Sequence, residues 1–327
     1  MPWSVDKRGF TLIELLMAIF LSMIVLSAGY SVFMGSNEAT TKQNLENRMM
    51  DNARMAMDVL ARSFRGVGLL TDFNSYPKNN QLISGLDIVV KPTDKTNGPD
   101  SVTIIGGNLV SLGNLQKSVP LGSSAITLLD ASSVQAGDVI GIGMSFTAKV
   151  ASVSGNVVNL ATSGTGNVGL TNIRYEGVKL EDGVTSSDKQ PAKVRLVQAQ
   201  QFFVDSTKDP NHPTLMQIAQ GSNVAEPLAE DIEDLQIEYG IDKNGNRIIE
   251  PAEWMSNPSS SDIKQYLRMV RITIVARTVT PMKSMLGANQ AIPAVGNHPA
   301  WSTTDGYKRY ILTRIIKCRN AEITKTL

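Results

Sequence analysis

Cysteine, histidine and aromatic side chains are scarce in this chain. Its 327 residues include one cysteine and two histidines, and aromatics make up 6%. A single thiol, Cys318, cannot close an intramolecular disulfide, so the fold must be held by an apolar core even in an oxidising compartment. Cys318 lies in or beside a β run, where a small buried side chain is the expected role rather than a nucleophile. His212 and His298 each precede a proline, with no cluster at metal-ligand spacing around them. No P-loop or nucleophile-elbow motif occurs. Gly164-Thr165-Gly166-Asn167-Val168-Gly169 matches the dinucleotide pattern G-x-G-x-x-G, but no helical pattern opens behind it, so it reads as a turn. These absences point away from an enzyme. Charge of one sign is also lacking: 31 Lys and Arg against 30 Asp and Glu give a net +1. No global field recruits nucleic acid or anionic lipid, and no nucleic-acid partner is evident.

What the chain does have is one long apolar run near its start. From Phe10 to Phe33 about 24 residues would rise roughly 36 Å as a helix, enough to cross a hydrocarbon core of about 30 Å. Glu14 is the one charge inside it. A carboxylate in a membrane helix costs about 2.5–3.5 kcal/mol on insertion scales, so a chain that keeps one there is expected to supply a partner for it. Lys7 and Arg8 precede the run, and the positive-inside rule keeps them cytoplasmic, placing the bulk of the chain in the periplasm. A secretory signal with a cleavage site at Ser27-Ala28-Gly29, or a plain anchor, would explain the apolarity. Neither explains Gly9-Phe10-Thr11-Leu12-Ile13-Glu14 at the polar/apolar junction.

That hexapeptide resembles the leader signal of type IV pilins and type II secretion pseudopilins. The resemblance implies cleavage between Gly9 and Phe10 by a prepilin peptidase and N-methylation of Phe10. It also implies that Glu14 is an assembly contact, pairing with the amino terminus of a neighbouring subunit. Other minor and major pilins, the inner-membrane assembly platform and membrane lipid follow as partners. The expected location is the inner membrane, then the pilus surface.

Beyond the apolar run a helix continues. Leu45, Met49, Ala53, Ala56, Met57, Leu60, Phe64 and Val67 recur at steps of three and four, one face laid on a core. Arg54 and Asp58, and Asp58 and Arg62, stand four apart on the other face. Gly66 and Gly68 end the pattern, so one helix from Phe10 to about Arg65 is expected, roughly 84 Å long. Residues 81–190 turn to Gly, Ser, Thr and Val, with short strands at Leu86–Val90, Ser101–Ile105, Ala125–Leu129, Val139–Ile142, Ala148–Val153 and Val157–Leu160. Lys149 to Leu160 reads as a hairpin about Ser154-Gly155-Asn156. After Pro191 the strands lengthen, the clearest being Leu267–Val279, whose Val270, Ile272, Ile274 and Ala276 alternate with Arg271, Thr273 and Arg277. Met282–Gly306 reads as a long surface loop before a final strand, Tyr307–Lys317.

Leu60-Ala61-Arg62-Ser63-Phe64-Arg65, the stretch Asp231 to Gly240, the Val270-Arg271-Ile272 strand and Arg319-Asn320 together resemble PilW-type minor pilins. The fold expected is α+β, the type IV pilin fold: a long membrane-spanning helix packed on an antiparallel β-sheet, with an inserted small β-barrel or β-sandwich. The expected layout is leader 1–9, transmembrane half-helix 10–33, periplasmic half-helix and loop 34–80, β-rich insert 81–190 and C-terminal sheet 191–327. The function implied is a minor pilin that primes or caps a type IV pilus. The alternatives are a J-like pseudopilin of type II secretion, or an adhesin using the β insert.

One further stretch carries candidate chemistry. Asp242, Asn244, Asn246, Glu250 and Glu253 put oxygen side chains at positions 1, 3, 5, 9 and 12 of an EF-hand-like loop, with the Ile248 carbonyl at position 7, so Ca2+ is a candidate ligand. Arg247 departs from the pattern, because position 6 normally takes glycine. The competing reading is a hairpin turning at Asn244-Gly245, between Leu235–Ile241 and Arg247–Ile249.

Overall fold

The computed structural model describes residues 11–68, 90–116, 124–142, 146–161, 193–219, 224–282 and 285–318. The Leu86–Val89 part of the first expected strand, the Gly164–Gly169 turn and Arg319-Asn320 lie outside these residues. The chain divides into two units, 1–48 and 49–327. Helix α1 (Leu12–Arg65) ends the first and opens the second.

In the first unit, α1 carries large apolar side chains that are exposed from Leu12 through Met34. Among the described residues α1 is the one helix long and apolar enough to cross a membrane. Its hydroxyls are taken up locally: Ser22 Oγ donates to the Ala18 carbonyl at 2.7 Å and Ser31 Oγ to Ala28 at 2.8 Å. A hydroxyl bonded to its own helix leaves no donor unsatisfied in hydrocarbon.

In the second unit the same helix has one dry face. Met49, Ala53, Ala56, Met57, Leu60, Ala61 and Phe64 are buried. The charged face is arranged differently from the i,i+4 expectation. Asp58 accepts from Arg314 at 2.7 Å, and Arg54 reaches Asp51 at 3.5 Å. A strand passing beside the helix offered Asp58 a shorter reach than its own turn did.

The strands follow as β1 (Val90–Thr93), β2 (Ser101–Asn114), β3 (Ala125–Thr127), β4 (Val139–Ile142), β5 (Phe146–Ser154), β6 (Val157–Leu160), β7 (Lys193–Asp205), β8 (Thr214–Ala219), β9 (Glu226–Ala229), β10 (Ile232–Ile241), β11 (Trp254–Met255), β12 (Leu267–Arg277), β13 (Gln290–Ile292), β14 (Trp301–Thr303) and β15 (Arg309–Lys317). A short helix α2 (Ser260–Tyr266) precedes β12 and is capped by Ser259. The first sheet has the order β11-β10-β12-β15, antiparallel throughout. β12 is rich in β-branched residues and sits in its middle, paired along its length with β10 and β15. Both its faces are covered, so Arg268, Thr273 and Arg277 are buried along with the apolar set.

The second sheet has nine strands, seven on the path β1-β2-β7-β4-β5-β6-β3, with β8 pairing β7 and β9 pairing β8 off that path. Among the described residues the path is open, so the expected small barrel is not closed there. The cause is β7, whose first half pairs β4 and whose second half pairs β8 while β2 runs along its other edge. The 154–157 hairpin forms as expected, with Gly155 at φ 56° in a two-residue turn. Expected Ser101–Ile105 runs on to Asn114 through Gly106 and Gly107. Gly106 has its own reason: a Cβ there would stand 2.4 Å from the Gly66 carbonyl oxygen, where the end of α1 bridges β2.

Two cores result. The larger joins the buried face of α1 to β10, β12, β2 and β7. The smaller gathers Leu112, Ile126, Leu128, Ile140, Val158 and Val194 between the strands of the middle stretch. The expected surface loop at 282–306 is a correction. It contains the antiparallel pair β13–β14, and Met282, Ile292 and Val295 are buried. Arg309, its guanidinium buried, closes this segment by bonding Glu233 at 2.8 Å and Asp305 at 2.6 Å, and those bonds hold the Asp305 carboxyl down to about 2.

Candidate functional site

The helix head is the first candidate site. Thr11 precedes α1, and its N–H and Oγ1 both donate to Glu14 Oε2, at 2.9 and 3.0 Å. The Glu14 N–H returns a bond to Thr11 Oγ1 at 3.3 Å. This is a capping box, in which the N-cap hydroxyl and the N3 carboxylate satisfy each other's orphan donors. The T-x-x-E spacing announced it, yet the sequence reading took Glu14 only as an assembly contact. Gly9 and Phe10 lie outside the described residues.

The second candidate is the loop from Asp242 to Glu253. Asp242 is fully buried, and its Oδ1 accepts the Gly245 N–H at 2.7 Å. Its Oδ2 accepts the Arg247 N–H at 3.2 Å and Arg268 Nε at 3.3 Å. Asn244 Oδ1 accepts the Asn246 N–H, and Asn246 Oδ1 accepts the Ile248 N–H at 2.7 Å. Glu253 is elsewhere, accepting the Glu250 N–H at 3.0 Å. Consecutive side chains thus wrap the backbone, and Asp242 and Glu253 are engaged with different partners. Arg247 holds φ 66°, a left-handed conformation that glycine adopts at no steric cost. The hairpin alternative is corrected as well: β10 pairs with Trp254–Met255, so the chain returns only after a 3-10 turn, Pro251–Glu253. Ile249 packs against Gly240 rather than joining a strand.

The histidines are structural. His212 Nδ1 lies 2.9 Å from Asp231 Oδ1, and His298 Nδ1 lies 2.7 Å from Asp234 Oδ2. Cys318 is buried. Among the described residues no three His, Cys, Asp or Glu side chains converge as a metal cluster.

Comparison with known proteins follows these features. Residues 201–320 match the family described as type IV pilus-assembly protein W, and residues 5–30 match the prokaryotic N-terminal methylation motif. A pilin-like protein of Thermus thermophilus, PilA3, is 32% identical over 62 residues, which is 19% of this chain. The match spans 27% of that relative's length. A solved type IV-like pilin from Thermus thermophilus overlays with a TM-score of 0.35 at 11% identity, over 84% of this chain and 98% of its own. In these matches the chain resembles type IV pilins and pseudopilins, and most of all PilW-type minor pilins.

Proposed function

We propose, from that likeness, that this chain is a minor pilin that primes or caps a type IV pilus. A prepilin peptidase cuts between Gly9 and Phe10, and Phe10 is methylated. The apolar half of α1 then holds the subunit in the inner membrane, with the second unit in the periplasm. Assembly draws it into the filament when Glu14 meets a neighbour's amino terminus, since a carboxylate and an ammonium a few ångströms apart relieve much of each other's desolvation. The observation that supports this is α1 itself: one unbroken helix with an exposed apolar start and a buried stripe from Met49 to Phe64. The test is filament number per cell in a strain lacking the chain, complemented with wild type or with Glu14→Leu. Wild type should restore filaments and Glu14→Leu should not. Loss of protein secretion with filaments intact would move the chain to type II secretion instead. Normal filaments together with lost surface attachment would make it an adhesin.

A second reading concerns the 242–253 loop, which we propose as a weak calcium site. Arg247 supports it, because the sixth residue of such loops takes a sharp turn that glycine normally provides. Binding would require Glu253 to release the Glu250 N–H and Asp242 to share its carboxylate with Arg268, which puts the expected affinity at about 10⁻⁴–10⁻³ M. At roughly tenfold excess over Kd, calcium should stabilise the detergent-solubilised full chain by about 1.4 kcal/mol. Thermal melts read this directly. Glu253→Gln should abolish the response while leaving the calcium-free melt unchanged, and equal curves with calcium and with chelator would retire the site.

A further inference from the structure

β15 lies at one end of the order β11-β10-β12-β15 and pairs with β12 on one side only. The Cys318 N–H donates to the Arg268 carbonyl, and the Thr278 N–H donates to the Lys308 carbonyl, both at 2.9 Å. Backbone groups of an antiparallel strand alternate sides, and these two bonds fix which residues face β12. Tyr310, Leu312, Arg314 and Ile316 turn toward it, while Ile311, Thr313 and Ile315 turn their N–H and C=O groups outward. None of those outward groups has a hydrogen-bond partner among the described residues.

Other strand edges in the molecule are closed to a further strand. β1 carries Lys91 and Pro92, β9 carries Pro227 and a register shift against β8, and β3 and β11 are three and two residues long. Beside β11, Asp100 plugs the edge of β10: its N–H donates to the Leu235 carbonyl at 2.7 Å, and its Oδ2 accepts the Ile237 N–H at 2.8 Å. Proline, lysine, shortness and irregularity are the devices that keep a sheet edge from pairing with another chain. β15 has none of them between Tyr310 and Ile316. It is nine residues long, lacks proline and glycine, and keeps an unbroken register with β12.

The two lanes beside the open edge differ in chemistry. Thr313 Oγ1 lies 3.0 Å from Thr273 Oγ1, so Ile311, Thr313 and Ile315 share the sheet face of Thr273, and Ile315 is 56% exposed there. Arg314 stands on the opposite face, where it reaches Asp58 of α1 at 2.7 Å with its own side chain 45% exposed. β15 carries Arg309, Arg314 and Lys317 and no carboxylate. A strand laid along this edge is best matched by β-branched side chains beside Ile311, Thr313 and Ile315 and by carboxylates beside Arg314, since β-branched and opposite-charge pairs are the ones that stabilise neighbouring strands. The β15 of a second copy does not meet that requirement. Paired antiparallel about Thr313, it sets Arg309 against Lys317 and brings cations to cations.

We infer that the outer edge of β15 is a docking site for an extended segment of another protein, one that alternates β-branched and acidic residues and adds to the four-stranded sheet beside Ile311, Thr313 and Ile315. The outward N–H and C=O groups supply the main-chain ladder, and the two lanes supply the selectivity.

The test is amide hydrogen exchange, resolved to single residues, on the full chain in detergent with a blocked nonapeptide that alternates valine and glutamate. At about 1 mM peptide the Ile311, Thr313 and Ile315 amides should gain about tenfold protection, while those of Leu312 and Arg314, already facing β12, hold. The same peptide N-methylated at alternate residues, which removes the donors it would offer the edge, should give no gain. A valine–lysine peptide should bind roughly fivefold more weakly. Thr313→Pro removes an N–H that faces away from β12, so it should leave β12 protected and abolish the gain. If that variant does not fold, the methylated peptide carries the test. No gain with the valine–glutamate peptide, an equal gain with the methylated one, equal binding of the lysine one, or a matching change at Leu312 and Arg314 would each overturn the proposal. So would Ile311, Thr313 and Ile315 amides already protected without peptide, because the edge would then be taken by the chain itself.

Discussion

Glu14→Leu is expected to leave the chain in the membrane and to cut its incorporation into filaments at least tenfold. Removing a carboxylate from an apolar helix removes an insertion cost of about 2.5–3.5 kcal/mol, so anchoring should be unimpaired or improved. On the proposed reading, what is lost is the partner for a neighbour's amino terminus. The capping box adds a second consequence, because Leu also deletes the acceptor for the Thr11 N–H, at a cost of about 1 kcal/mol. Glu14→Gln separates the two effects. Glutamine keeps an oxygen for Thr11 but carries no charge. If the charge drives assembly, Gln should fail as Leu does, whereas wild-type assembly by Gln and failure by Leu would assign the residue to the helix start alone. Counting the chain in sheared filaments by quantitative immunoblot, against its level in membranes, distinguishes these outcomes.

Phe64→Ala should destabilise the second unit by about 3–5 kcal/mol, the cost typical of truncating a fully buried aromatic. Phe64 is 0% exposed in the last turn of α1 and belongs to the larger core. The helix end cannot sink into the hole, because it is tied beyond Phe64. Val67 bridges Gly106, and the Gly68 N–H donates to the Ile105 carbonyl at 3.0 Å. Phe64→Leu keeps an apolar branch in the same space and should lose only about 1–2 kcal/mol. Denaturant unfolding of the full chain in detergent, followed by tryptophan fluorescence, measures both. A loss under about 1 kcal/mol for Phe64→Ala would mean that this end of the helix does not rest on the core as described.

Periodicity made the helix and the core legible. Met49 to Phe64 repeat at three and four, and they are the residues that bury; only Ala61 was missed, because a single alanine between Leu60 and Arg62 looks like either face. Val139–Ile142 and Val157–Leu160 emerged with their expected bounds because turns flank them closely. Long-range pairing was not legible. Two glycines after Ile105 read as a stop, although Gly106 is there to let β2 pass the end of α1. Neither buried arginine's partner showed in the sequence: Arg268 meets Asp242, and Arg277, on the strand face opposite Val270, Ile272, Ile274 and Ala276, donates to the Pro210 carbonyl at 2.7 Å. Those partners lie 26 and 67 residues away, beyond any local pattern. The calcium spacing was visible, but the sequence could not show that the loop's own N–H groups and Arg268 engage Asp242. The His298–Asp234 contact spans 64 residues and was hidden for the same reason.

On the proposed function, this chain is processed at its leader and built into a filament through α1. Mass spectrometry of the chain recovered from sheared, purified filaments tests it most directly. The predicted result is a protein that begins at N-methylated Phe10, with residues 1–9 absent, and that accumulates uncleaved in membranes and is missing from filaments when Gly9 is replaced by Val. Filaments carrying the chain with residues 1–9 still attached, or filaments that never contain it while the membranes do, would contradict the claim.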